Sequence, residues 1–245
     1  MTILAVVRDV CAVVGVVVPT SVFANLAANR TMQEMVTLAN EMGQRIAYDM
    51  RDWTRLKTST TIIGDGVTTA WSLPANFKRM LPTTNVWSST STQTPLMFIQ
   101  NTDMWTQRRA YGDIDSSGEW TLLGDYLHIY PALAGPVPGP AGTASFTYLD
   151  RNCVKLASGG YGDSFLADAD EFRLDERLLK LGMVWQWKAQ KGSPYSEDMG
   201  TYSDALQIAL RFDNPAPIII DRLPISQTRG SSGLTYYLPQ TPTFP

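Results

Sequence analysis

The chain has 245 residues, of which 44% are hydrophobic and 18% charged, and a formal net charge of −3; this is an ordinary globular composition on a length that carries one large domain or two small ones. No run of Lys or Arg occurs, which argues against a groove that grips nucleic acid through its phosphates, though not against a pore that DNA passes without sticking. The two cysteines, Cys11 and Cys153, and the single histidine, His128, leave neither a disulfide scaffold nor a zinc-type cluster, and the cysteines read as small buried apolar residues.

The N-terminus is mostly apolar up to Val18, but no basic residue precedes the run, and Arg8 and Asp9 interrupt it. A secretory signal or a membrane span needs the opposite arrangement, so the stretch reads as a buried or interface helix over 2–17. Ile3, Val6, Val7, Val10, Val13, Val14 and Val17 make its broad apolar face, and Pro19 ends it. Thr31, with Glu34 three residues later, reads as a capping box that opens a second helix. Met35, Leu38, Ala39, Met42 and Ile46 continue at helical spacing towards Trp53, as a core stripe.

From Thr58 to Tyr148 the chain turns rich in Thr, Ser, Val and aromatics, with turn signals at short intervals, which is the composition of a β region. Thr58 to Ile63 and Val67 to Leu73 read as a hairpin across Asp65-Gly66, after which Pro74 to Leu81 leaves the sheet. Asn85 to Ser88 and Leu96 to Ile99 are further candidate strands, and Thr102 to Ala110 is a short helix capped by Thr102 or Asp103. Trp120 to Leu123 and Tyr126 to Tyr130 flank Gly124-Asp125 as a second hairpin. Leu127 and Ile129 then share one face, and Tyr126, His128 and Tyr130 the other. The prolines of 134–142 make an exposed loop, and Thr143 to Asp150 is a last strand.

Two amphipathic helices follow. Leu174, Leu178, Leu181 and Trp185 form one stripe, Met199, Tyr202, Leu206 and Ala209 or Leu210 another, and Gly192, Ser193 and Pro194 break between them. The pair makes an antiparallel hairpin whose stripes need the N-terminal helices as partners. The expected fold class is α+β: a helical bundle of four main helices over 1–57 and 151–212, an inserted antiparallel β-rich region over 58–150, and an extended C-terminal tail over 213–245. The tail is rich in proline and has no helical stripe. Yet Ile218, Ile219, Ile220, Leu223, Tyr236, Tyr237, Leu238 and Phe244 are too apolar for a free linker, so it packs on its own domain or lies along a neighbouring subunit or partner.

Catalytic chemistry finds little support. Gly159-Gly160-Tyr161-Gly162 lacks the flanking pattern of a phosphate loop and reads as a flexible loop. His128 sits mid-strand among tyrosines as an ordinary face residue. Asp103, Asp113, Asp115, Glu119 and Asp125 could supply a carboxylate pair for glycoside cleavage, but read better as solvated loop charges. Trp71, Trp87, Trp105 and Trp120 could stack sugars or bases, or fill a β core, the commoner home of tryptophan. No catalytic residue, cofactor or metal is expected.

Three patches resemble one family. Asp175, Leu178, Leu179, Gly182, Trp185, Lys188, Lys191, Gly192, Pro194, Tyr195, Glu197, Asp198 and Tyr202 follow the pattern of the C-terminal helix pair of phage head-to-tail adaptor (connector) proteins, called tail tubular protein A in some short-tailed phages. Ile62 to Leu81 resembles the family's turn, strand and following motif through Asp65, Gly66, Leu73, Pro74, Phe77 and Arg79, with Asn76 where the family usually has Asp. Glu119 to Leu133 resembles its hairpin through Trp120, Leu122, Gly124, Asp125, Leu127, Ile129 and Pro131. The patches come in the family's order, and the resemblance covers roughly residues 25–212.

The resemblance implies a structural virion protein and not an enzyme. It implies a dodecameric ring beneath the portal protein that connects capsid to tail and passes double-stranded DNA through its lumen without sequence recognition. Tail proteins, of the nozzle or tail tube, would dock on the far side. The implied location is the virion, after assembly in the host cytoplasm, with no membrane partner. Tyr236, Tyr237, Leu238 and Phe244 are the expected contacts to the portal or a neighbouring subunit, although they match no family motif. The alternatives are a carbohydrate-binding or cell-wall-acting virion protein, and another tail or baseplate subunit.

Overall fold

The computed structural model describes residues 1–213 apart from 25, 83, 90–93, 113 and 138. The valine-rich N-terminus forms helix α1, Ile3–Val14, which buries Ile3, Val6, Val7, Val10 and Cys11. It stops short of the expected end because Gly15 adopts a left-handed conformation (φ 73°) and donates its N–H to Cys11 O, a glycine C-cap. Val13, within the helix, and Val17, beyond it, both expected on the apolar face, are exposed, Val17 to 86%. Helix α2, Arg30–Gln44, is capped by Asn29 and not by Thr31; the Asn29 side chain accepts the Met32 N–H at 3.3 Å. Glu34 turns to Arg30 and Lys191 at 3.1 and 2.7 Å instead of back to the cap. One π turn, Arg45–Asp49, continues α2, and beyond it the buried Trp53 indole donates to Ile46 O at 2.6 Å. All five residues of the expected stripe of α2 are buried.

The β region differs from its expected pairing. Strand β1, Lys57–Ile63, does not fold back on β2, Ala70–Ser72. It pairs antiparallel with β8, Thr143–Asp150, with Thr61 opposite Ser145. Asp65 explains the missing hairpin: its carboxylate accepts the Val67 and Thr68 N–H groups at 3.0 and 2.7 Å, so these donors are taken locally. Gly64 and Gly66 donate instead to Gly142 and Leu133 carbonyls. A Cβ on Gly64 would stand 2.5 Å from Leu133 Cβ, so that close approach requires glycine. The chain then swings into a second sheet. The stretch expected to leave the sheet returns to it as β3, Phe77–Met80, on the other side of β8, beside β4, Trp87–Ser88.

The second sheet runs β2, β7, β6, β5, where β5 is Met97–Phe98, β6 is Glu119–Leu123 and β7 is Tyr126–Tyr130. Strands β6 and β7 form the expected hairpin, with Leu127 and Ile129 buried. Strand β5 is parallel to β6, so this sheet is mixed rather than antiparallel. Helix α3, Thr102–Tyr111, is capped by Asn101, which accepts the Asp103 and Met104 N–H groups, and not by Thr102 or Asp103.

Residues 151–173, expected among the helices, contain no helix; a small sheet of β9 (Val154–Lys155), β10 (Tyr161–Gly162) and β11 (Glu171–Phe172) is there, with β9 central. The expected flexible loop at 159–162 is instead a turn at Gly159 and Gly160, closed by the Leu156 N–H on Gly160 O and the Gly159 N–H on Leu156 O at 3.1 Å each, followed by β10. Helix α4, Glu176–Gln190, then packs on α1, α2 and α5, the last being Ser196–Phe212. The unit is thus a mixed α/β structure with two apolar cores. One gathers the helices, Trp53, Leu56, Phe165 and Phe172; the other gathers Trp120, Leu127, Ile129, Phe146 and Tyr148. Strand β8 feeds both, Leu149 entering the first and Ala144, Phe146 and Tyr148 the second.

Candidate functional site

The residues that could carry catalysis are occupied elsewhere. His128 is half-buried on β7, with the rings of Trp105 and Tyr126 edge-on at 6.3 and 6.5 Å. Glu119 is not a solvated loop charge: it is fully buried on β6. Arg108 meets it at 2.5 Å, Arg109 bonds its other oxygen, and the Asp115 N–H donates to it at 3.0 Å. The Arg109 guanidinium also lies over Trp105 and Tyr130, 4.5 and 3.7 Å from the ring centres. Asp115 is drawn below the usual carboxylate range by the Ser117 hydroxyl and N–H. Asp125 stands in the turn that follows β6, at the end of the strand remote from Glu119, and Asp113 lies outside the described residues. Glu119 and Asp115 are thus engaged in the local structure around α3 and β6.

Cys11 and Cys153 are buried and unpaired, and burial pushes the Cys153 thiol up to about 11 and raises that of Cys11 too. Both are protonated at neutral pH and make poor nucleophiles. Among the described residues no group of three or more His, Cys, Asp and Glu gathers as a metal site, and no helix is long and apolar enough to cross a membrane.

The residues of the adaptor-like patches hold joints of the fold. Asp65 is depressed to about 2, chiefly by the Thr68 hydroxyl and then by the Thr68 and Val67 N–H groups, so it stays ionised as the turn's acceptor. Phe77 packs on Tyr148 with ring centres 5.5 Å apart, and Arg79 reaches Asp52 at 2.7 Å, tying the β region to the loop after α2. Asp175 caps α4 by accepting the Arg177 N–H at 2.8 Å. Gly182 lies against Met42 and Tyr202; a Cβ there would be 2.4 Å from Met42 Cε. The Trp185 ring lies tilted against those of Tyr195 and Tyr202, with centres 6.5 and 6.2 Å away, and Lys188 pairs with Asp198 at 2.6 Å, so side chains on both arms join the helix hairpin. Gly192 makes its turn at φ 69°.

What remains available is surface. At the C-terminal end of α5, Ile208 and Phe212 are exposed, Phe212 to 83%, beside a groove of about 470 Å³ lined by Trp53, Arg55, Leu174, Ala205 and Ala209. Arg51 and Thr54 fix that helix end by bonding Leu210 O and the Asp213 carboxylate. A separate apolar patch, Val13, Val17 and Val18, lies at the end of α1. Sequence periodicity missed both, since it counts Val13 and Val17 into the core and stops at Leu210. Tyr236, Tyr237, Leu238 and Phe244 lie outside the described residues. No protein-family model matches the chain, and no curated protein matches it significantly.

Proposed function

We propose that this chain is the head-to-tail adaptor of a tailed phage, a structural connector and not an enzyme. In this reading the helices form a four-helix bundle with the β region inserted between its halves, and the segment after 212 is an extended arm. Copies assemble as a dodecameric ring on the portal protein, take up tail proteins on the far side and pass double-stranded DNA through the lumen. The ring belongs to the virion and assembles in the host cytoplasm.

The observation that carries the reading is the order of the three adaptor-like patches, from Ile62, from Glu119 and from Asp175, in one chain. Two features support it. A head-to-tail ring needs two different sticky surfaces on each subunit, and the chain exposes Val13, Val17 and Val18 at one place and Ile208 and Phe212 at another. A net charge of −3 suits a conduit that must not hold phosphate tightly.

Tyr236, Tyr237, Leu238 and Phe244 are assigned to the portal or to a neighbouring subunit. Deleting 230–245 should leave the thermal unfolding of the rest unchanged and abolish ring formation on purified portal. Ring formation by the shortened chain would refute that assignment.

A further inference from the structure

The outer face of the sheet built from β1, β8 and β4 has an unusual composition. Its register sets Trp87 and Thr61 on either side of Ser145, in one row across three strands, and Ser59 beside Thr147 in the next. Directly opposed residues share a face, so these five side chains stand together while Ala144, Phe146 and Tyr148 fill the core behind them. A cleft of about 360 Å³ opens here, lined by Ser59, Thr84, Asn85, Trp87, Ser145 and Thr147. Among the described residues no charged one lines it. Trp87 is 47% exposed, whereas Trp105 and Trp120 are buried and Trp71 is half-buried.

We propose that this cleft binds a neutral oligosaccharide, with Trp87 as the stacking platform. The C–H face of a pyranose is apolar and slightly positive, which suits the negative face of an indole. Its hydroxyls both donate and accept, as do those of Ser and Thr. The Thr61 and Ser145 hydroxyls already bond each other at 2.8 Å, while the side chains of Ser59, Asn85 and Thr147 make no hydrogen bond to another described residue and are free to meet a ligand. From Trp87 to Thr61 the row spans about 10 Å, two strand spacings, which admits two sugar rings side by side. A single-stranded nucleic acid would also stack on Trp87, but its phosphates need cations that this cleft lacks. Acidic sugars are disfavoured for the same reason. The proposal does not depend on the connector reading.

The test is titration of the full-length protein with maltohexaose, cellohexaose and chitohexaose, followed by calorimetry and by tryptophan fluorescence. At least one should bind saturably. Trp87→Ala should weaken that binding by about tenfold or more, and Trp87→Phe should retain part of it. Thr147→Val, which keeps the side-chain shape and removes the hydroxyl, should weaken it too. Thermal melting of each variant checks its fold. Absence of saturable binding of all three sugars at about 10 mM, or equal binding by wild type and Trp87→Ala, would overturn the proposal.

Discussion

Glu119 shows how much a single buried charge commits a structure to its partners. A fully buried carboxylate is tolerated only when paired, and here Arg108 and Arg109 hold both oxygens. Helix α3 buries only Trp105, so these ion pairs are its main anchor to the second sheet. Glu119→Ala leaves Arg109 in a partly buried site without its carboxylate, and should lower unfolding free energy by about 3–5 kcal/mol. Urea denaturation measures the loss, and hydrogen exchange should rise first in Thr102–Tyr111. A loss below about 1 kcal/mol would mean that the pair is no more than a surface contact. The sequence hides this site, because nothing in the pair Arg108-Arg109 or in Glu119 marks them as partners until β6 turns Glu119 inward. Asp168 and Asp170 are hidden in the same way. Asp168 accepts the Val22 and Phe23 N–H groups and Asp170 those of Ala157, Leu166 and Ala167, so acids that no sequence pattern singles out hold loops in place.

At the scale of elements, α4 is the helix that the others meet. Its single expected stripe undercounts it: Leu179, Gly182, Met183, Val184 and Trp187 are buried along with Leu178, while Leu181 and Trp185 are half-buried. A helix flanked on several sides is apolar most of the way round, and a one-face pattern cannot describe it. Gly182 is where the packing is tightest. Gly182→Val would press two methyl groups against Met42 and Tyr202, and overpacking of this kind should cost about 2 kcal/mol. Chemical denaturation reads the loss, and an unchanged midpoint would contradict the close packing of α2, α4 and α5. The β6–β7 hairpin and the limits of β8 were legible, because a two-residue Gly-Asp turn and a clean alternation are local signals. The partner of β1 was not. Thr61 meets Ser145 across most of the β region, and a nearby Asp-Gly looked like a better turn than it is. The short strands β9 to β11 carry too few residues for any period to emerge.

For the molecule as a whole, two apolar cores joined through β8 organise the described residues, and exposed apolar residues remain at the ends of α1 and α5 and elsewhere. Much of the polar side-chain chemistry holds turns and caps, as at Asp65, Asn101 and Asp175. The surface scale was the least legible in sequence, because exposure depends on which faces the neighbouring elements leave uncovered. We propose that the portal templates a ring of this chain. Native mass spectrometry of the full-length protein, alone and mixed with the portal ring of the same phage, tests it directly. The expected result is a monomer alone and a complex carrying about twelve copies on the portal. A chain that leaves the portal unbound at every mixing ratio would contradict the account.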